Sequence, residues 1–358
     1  MRESADAIVI GAGIVGASIA WRLAQKGLQV VLVDAGRAGG EASWAGAGML
    51  APGGEITQWT QWSDFALHSH SLYPGFIDEL TQETGCPIDF QRKGAIEVAS
   101  TEADWLALQR RAELQKGWGI PSEVVESKDH PAALFYPEDA IVDPRQVTGA
   151  LLAACQSRGA CLRENQPVSC IHAEPGSVTV ETKTGKLSAG IAVLAAGAWS
   201  GGIQFDFTGQ PEQLPGSFPV RGHLIGYRAS PGVCPTILRN GETYLLQRAN
   251  GFLIAGTSTE NVGFDRRIDP AIVAEIARRA EGLLPCLKDA GSPEAWVGFR
   301  PRADAHQPQI ARFADSNLWL AYGHYRNGIL LAPATAERIS EQIISSLEKG
   351  WTFPDGSR

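Results

Sequence analysis

Apolar and polar positions divide the chain into short units of two kinds. Residues 7–10 and 30–33 are continuous apolar runs, the pattern of strands buried on both faces of a parallel sheet. Between them Val15, Ile19, Ala20, Leu23 and Ala24 recur at helical spacing, and Gly27 tolerates the left-handed turn that closes a helix. This predicts strand, helix, strand: a βαβ unit. Further along, residues 166–170 and the buried run 191–196, ending at Gly197, read as strands, and residues 178–181 as one arm of a hairpin turning through Lys183, Thr184, Gly185 and Lys186. Strands are also predicted at 94–99, 244–247 and 252–255, with helices at 102–116 and 270–284. A last apolar strand, 318–321, leads through a glycine-containing turn into a helix whose apolar face includes Ile339, Ile343, Ile344 and Leu347.

Length and charge narrow the picture. At 358 residues with 44% hydrophobic content the chain exceeds what most single cores support, which predicts two domains. No repeat or low-complexity linker separates them, so they must interleave. A net charge of -8, with Lys and Arg scattered rather than striped, excludes a nucleic-acid partner. Cys86, Cys155, Cys161, Cys170, Cys234 and Cys286 form no C-x-x-C pair and have no zinc spacing to histidine, which predicts reduced core thiols and no metal. Residues 1–6 carry acidic side chains and run straight into a strand; neither a signal peptide nor a membrane span is expected, and the compartment is expected to be cytoplasmic.

The βαβ unit carries the first chemistry. Gly11, Gly13 and Gly16 follow the first strand at G-x-G-x-x-G spacing, and Asp34 ends the second. Gly11 permits a tight turn, Gly13 lets the backbone approach a pyrophosphate at the helix N-terminus, and Gly16 lets helix and strand pack closely. Asp34 is placed to accept hydrogen bonds from a ribose hydroxyl and would repel a 2′-phosphate, so NADP is disfavoured while FAD and NAD both remain open.

Two further segments separate them. Gly39, Gly40, Glu41, Ala42, Ser43, Trp44, Ala45, Gly46, Ala47, Gly48, Met49 and Leu50 make a run of small residues able to lie against a flat ligand. Near the other end, Gly323, His324, Tyr325, Arg326, Asn327, Gly328, Ile329 and Leu330 link strand to helix, offering backbone donors and a helix N-terminus to the negative charge of a reduced flavin. With the glycine turn, these segments resemble those of the D-amino-acid oxidase superfamily, and the glycine oxidases of thiamin biosynthesis in particular. The resemblance spans essentially the whole chain.

It implies an α/β fold: a Rossmann-like FAD-binding domain (1–85, 142–217 and 300–358) interleaved with an α+β substrate-binding domain (86–141 and 218–299), D-amino-acid oxidase/glutathione-reductase-like. It implies FAD contacts at Gly11, Gly13, Ile14, Val15, Gly16, Asp34, Ala35, Ala42, Ser43, Ala47, Gly48, Met49, Val168 and Gly197, and along His324, Tyr325, Arg326, Asn327, Gly328, Ile329 and Leu330. Val168 matches a position that reaches the adenine through its backbone. No cysteine lies in the C-terminal flavin segment, so the FAD is expected to be non-covalent. A homo-oligomer, a homotetramer by the same resemblance, is expected.

Oxidation of an amino acid requires that its carboxylate be fixed, and a bidentate guanidinium does this. Arg300 ends a strand-like apolar run and matches the substrate-carboxylate arginine of the family; the alternative is a solvated ion pair. Arg326 matches a substrate-contacting position, or else pairs with a protein acid. Tyr244 matches a residue that hydrogen-bonds the carboxylate, or else packs. His324 is expected to meet the flavin through its backbone rather than to act as a base. Thr259 and Glu242 stand where relatives differ, leaving amine selectivity open. The expected reaction is oxidation of glycine, and of sarcosine or small D-amino acids, to an imine that hydrolyses to an oxo acid and ammonia, with O2 reduced to H2O2. A positioned substrate needs no protein acid or base for hydride transfer to flavin. The alternatives are a D-amino-acid or sarcosine/D-proline dehydrogenase with a non-oxygen acceptor, and a flavin-holding protein without catalysis.

Overall fold

The computed structural model describes residues 4–125, 132–304 and 307–348. Its first sheet is built around Ser4–Ile10, which pairs in parallel with Val30–Val33 on one side and Gly185–Leu194 on the other. Ala7 and Val9 enter one hydrophobic cluster while Ile8 and Ile10 enter another, so the run is apolar throughout because both faces are covered. Gly185–Leu194 is long enough to take two neighbours on its other edge: its first half pairs with Ser177–Thr182 and its second with Leu318–Tyr322. Strands beyond these bring the sheet to ten. Helices Ile14–Gln25, Pro144–Ser157 and Gly328–Glu348 pack together on one face, burying Trp21, Leu23, Leu151, Trp319 and Ile339.

A second sheet of eight strands runs in the order Glu294–Ala303, Ser217–Arg228, Phe252–Gly256, Thr243–Gln247, Ile237–Asn240, Ala95–Val98, Ala133–Tyr136, Glu123–Val125. Strand alternation decides which side chains face the first sheet. Leu224, Tyr244, Leu246 and Trp296 point inward and join the cluster under the glycine turn. Ile225, Leu245 and Leu253 point outward and are covered by helix Pro270–Leu283 through Ile276 and Ala280. The two sheets therefore share a core across their interface.

Most predicted elements lie within a few residues of those observed, and the departures have causes. Helix Gln61–Thr84, for which the apolar pattern gave no prediction, contains Pro74 and many polar positions; its signals are local, a Thr60–Ser63 capping box and a left-handed Gly85 at its end. The C-terminal helix begins at Gly328, inside the segment read as a turn. Strand Glu294–Ala303 spans the position of the expected 299/300 boundary, and Arg300 lies within it rather than at its end. All six cysteines are free, but Cys161 and Cys286 are exposed rather than in the core. Among the described residues no helix is long and apolar enough to cross a membrane.

The tightest contact in this scaffold is at Gly16, where a Cβ would lie 1.9 Å from the carbonyl oxygen of Gly11. Gly16→Ala should therefore force helix and strand apart and lower the thermal midpoint, with a cost of about 1–3 kcal/mol. Gly149→Ala, in an exposed helical position with no atom within 4 Å of the added Cβ, should be neutral or slightly stabilising. Equal midpoints for the two variants would contradict this packing.

Candidate active site

Between the sheets runs a cavity of about 610 Å³, reaching from the glycine turn to the inner face of the second sheet. Gly11 takes φ +102° at its start, and a Cβ there would meet the Ala195 carbonyl oxygen at 2.4 Å. Helix Ile14–Gln25 opens onto the cavity with Gly13 as its N-cap and no acidic residue in its first turn. The Ile14 amide donates to Ser43 Oγ at 2.9 Å, which ties the small-residue segment to the helix N-terminus. Asp34 accepts the Ala12 amide on Oδ2 at 2.8 Å and the Gly36 amide on Oδ1 at 2.9 Å. Burial raises its carboxyl pKa despite these two amides, and each oxygen keeps a lone pair for a further donor.

The small-residue segment is held from the far side. Arg248, buried, donates to the carbonyls of Val142 and Ala47. Between those carbonyls Gly48 takes φ +88°, and a Cβ there would lie 2.0 Å from Val142 O. Residues 42–45 of this segment are helical.

The C-terminal segment is anchored to the strand that carries Arg300. Arg302 and His324 form an antiparallel bridge, and Gly323 and Tyr325 take φ of 82° and 50° to turn the chain toward Gly328. His324 is buried with Nε2 3.1 Å from Thr335 Oγ1, and burial pushes its imidazole down to about 4. It is a neutral structural side chain.

Of the sequence-predicted cofactor residues, Gly11, Gly13, Ile14, Val15, Asp34, Ala35, Ala42, Ser43, Ala47, Gly48, Met49, Val168, Gly197, His324, Tyr325, Arg326, Gly328 and Ile329 line the cavity. Gly16, Asn327 and Leu330 do not. Gly16 sits behind the turn against Gly11; the Asn327 amide closes the turn on the His324 carbonyl; and Leu330 is buried with its carbonyl accepting from Ser69.

At the second-sheet end, Arg300 reaches the cavity past Gly222, where a Cβ would fall 2.3 Å from its Nη2. Its guanidinium donates to the Thr257 hydroxyl at 2.6 Å and to the carbonyl of Ser258 at 3.0 Å, and lies 3.4 Å from that of Arg221. All are neutral oxygens; no acidic side chain among the described residues forms an ion pair with it. Burial lowers its pKa, the expected result for a cation without a counter-ion. Tyr244 is on the same wall, its hydroxyl pKa raised by burial while the charges of Arg300 and Arg326 pull it down. Arg326 lies 3.8 Å from Glu55, the protein acid of the second reading, and also lines the cavity. Glu242 and Thr259 are exposed and outside the lining. Sequence reasoning missed Glu55, Thr257, Gly222 and Arg248, whose positions come from tertiary packing and carry no local motif.

The profile of the family described as "DAO: FAD dependent oxidoreductase" matches residues 6–342. The chain belongs to this family. It is 31% identical to a glycine oxidase of Bacillus subtilis over 96% of this chain and 94% of that one. It is 34% identical to a bifunctional ThiO/ThiG protein of Synechocystis, covering 96% of this chain and 52% of that protein. The crystal structure of glycine oxidase from Geobacillus kaustophilus superposes with a TM-score of 0.89 at 28% identity, covering 96% of this chain and 95% of that one. The glycine turn, the lone pairs of Asp34 and the backbone cradle of residues 323–329 fit the FAD that the family uses.

A ribose contact at Asp34 makes a testable demand on affinity. Asp34→Ala, titrated as apoprotein with FAD, should bind about tenfold or more weakly, since losing one hydrogen-bond acceptor of this kind costs about 1–3 kcal/mol. Turnover of the FAD-loaded fraction should change less. Unchanged FAD affinity would mean that the acid does not hold the cofactor.

Proposed function

We propose that this family member oxidises glycine, releasing the imine that hydrolyses to glyoxylate and ammonia, with O2 as electron acceptor, and that it serves thiazole formation in thiamin biosynthesis. The observation that carries the substrate class is Arg300: a half-buried guanidinium at the end of a dinucleotide cavity, hydrogen-bonded to neutral oxygens and without an acidic partner among the described residues. A substrate carboxylate completes it. Full-length relatives named glycine oxidase support glycine as that substrate, and the ThiO/ThiG relatives support the pathway. A cytoplasmic location and assembly as a homotetramer belong to the same reading.

Bound FAD would supply the redox chemistry, accepting two electrons and a hydrogen from the substrate and passing them to oxygen. It would be held without a covalent link, as no cysteine is among the residues lining the cavity. The chain supplies position. Arg300 takes the carboxylate in a planar two-pronged grip that fixes the direction of Cα. Its other donors are already engaged by Thr257 and Ser258, so the fork cannot swing with the substrate. Tyr244 adds a hydroxyl beside it. Arg326 and Glu55 form the charged rim around the amine, Glu55 offering an acceptor. His324 takes no proton, since it is buried and tied to Thr335.

Arg300→Ala should lower kcat/KM for glycine about a hundredfold or more, corresponding to about 3 kcal/mol, with little change in FAD content. Arg300→Lys should recover only part, because a point charge lacks the planar fork. If Arg300→Ala reduces its flavin with glycine as fast and at as low a concentration as the wild type, the carboxylate site is elsewhere.

A further inference from the structure

Away from the cavity, three side chains with metal-ligand chemistry converge on one face of the ten-stranded sheet. Cys170 and His172 are two apart on strand Val168–Glu174 and so share a face. Asp206 is the register partner of His172 on the parallel strand Gln204–Phe207, and Glu181 the partner of Cys170 on the antiparallel strand Ser177–Thr182. The Cys170 Sγ, a ring nitrogen of His172 and a carboxylate oxygen of Asp206 all lie within 4.8 Å of one another.

The arrangement around the imidazole discriminates between chemistries. Cys170 Sγ is 3.9 Å from His172 Nδ1, and Asp206 Oδ2 contacts that same nitrogen. A nucleophilic relay needs thiol and carboxylate on opposite ring nitrogens. Here both meet one nitrogen, as ligands do around a common centre. The other nitrogen, Nε2, is 3.3 Å from Glu181 Oε1, and Lys186 Nζ holds that carboxylate at 2.6 Å. A carboxylate behind the ligating histidine is the partner that fixes ring orientation in metal sites. A tetrahedral zinc ion spaces S and N ligands about 3.5 Å apart and two N/O ligands about 3.3 Å apart. The Cys170–His172 spacing is close to this, while His172 and Asp206, now in direct contact, must part to admit the ion.

We propose that Cys170, His172 and Asp206 bind a borderline-soft divalent cation of the zinc class, with Glu181 orienting His172 and a fourth position open to water. Binding displaces the Cys170 thiol proton to solvent and requires a bare Nδ1, so a proton on Nδ1 moves to Nε2, the nitrogen beside Glu181, and His172 binds as the neutral ring. No redox step is involved. The ion clamps Gln204–Phe207, near the sheet edge, to its neighbour and so stabilises the fold in proportion to its occupancy. The site is two residues along the strand from Val168 and outside the substrate machinery. The C-x-H spacing alone did not reveal it, since the third ligand arrives by strand pairing 34 residues away.

The test uses FAD-loaded protein stripped with a chelator, desalted and titrated with Co²⁺ and then Zn²⁺. One equivalent of Co²⁺ should give a thiolate-to-metal band and tetrahedral d–d bands at wavelengths beyond the flavin absorption, and Zn²⁺ should abolish them and raise the thermal midpoint. Cys170→Ser should eliminate the thiolate band, and Glu181→Gln, which leaves all three ligands in place, should weaken binding about tenfold. Replacing the exposed Cys161 and Cys286 by serine should change nothing. Absence of stoichiometric binding, or a thiolate band that vanishes with Cys161 or Cys286 and survives in Cys170→Ser, overturns the proposal.

Discussion

The guanidinium of Arg300 is the constraint to which the second sheet is fitted. Arg300 is half-buried with no ion-pair partner among the described residues, and drawing a cation even partly out of water is costly unless hydrogen bonds hold the group and a ligand completes it. Gly222 is empty of side chain so that the guanidinium can lie across its strand. Thr257 and Ser258 supply oxygens, and the loop carrying them is itself fixed by Glu260. That carboxylate accepts from Arg221 at 2.5 Å, from Ser258 Oγ at 2.7 Å and from His223 Nδ1 at 2.8 Å. The Asp269 amide donates to His223 Nε2 at 3.0 Å, which places the ring proton on Nδ1 and makes the histidine a neutral donor to Glu260. This partly buried network ties the loop of Thr257 and Ser258 to strand Ser217–Arg228 and so fixes the oxygens that hold the Arg300 guanidinium.

The first sheet answers a different requirement, the close approach of backbone to a long anionic cofactor. Gly11 and Gly16 make the turn possible, Asp34 pins it through Ala12 and Gly36, and Ser43 draws the small-residue segment onto the helix N-terminus. Strand Glu294–Ala303 couples the two requirements. It carries Arg300 at one position and, two residues later, the bridge from Arg302 to His324. Arg300 and the segment that begins at His324 are therefore held in register by a single strand.

This division explains what could be read from the chain. The glycine turn, Asp34 and the C-terminal segment are local motifs, because a tight turn or a helix N-terminus is made by consecutive residues. Arg300 was singled out by its match to the family's carboxylate arginine; the strand-end position read for it is not what is observed, since strand Glu294–Ala303 continues past it. Glu55 and Thr257, which line the cavity, and Arg248, which braces the small-residue segment from behind, were not, since each comes from a part of the chain with no pattern of its own. Helix Gln61–Thr84 escaped because its burial is patchy, leaving caps as its only clear signal.

The central claim is that a carboxylate, held at Arg300, is what admits a substrate to this flavin site. Anaerobic mixing of the FAD-loaded protein with glycine and, separately, with methylamine tests it most directly, followed by admission of air and assay of peroxide. The account predicts that glycine bleaches the flavin and air restores it with release of H2O2, while methylamine, which leaves the guanidinium unpaired, reduces it at least a hundredfold more slowly, on the order of 3 kcal/mol of discrimination. Equal reduction by both amines, or none by glycine, would contradict it.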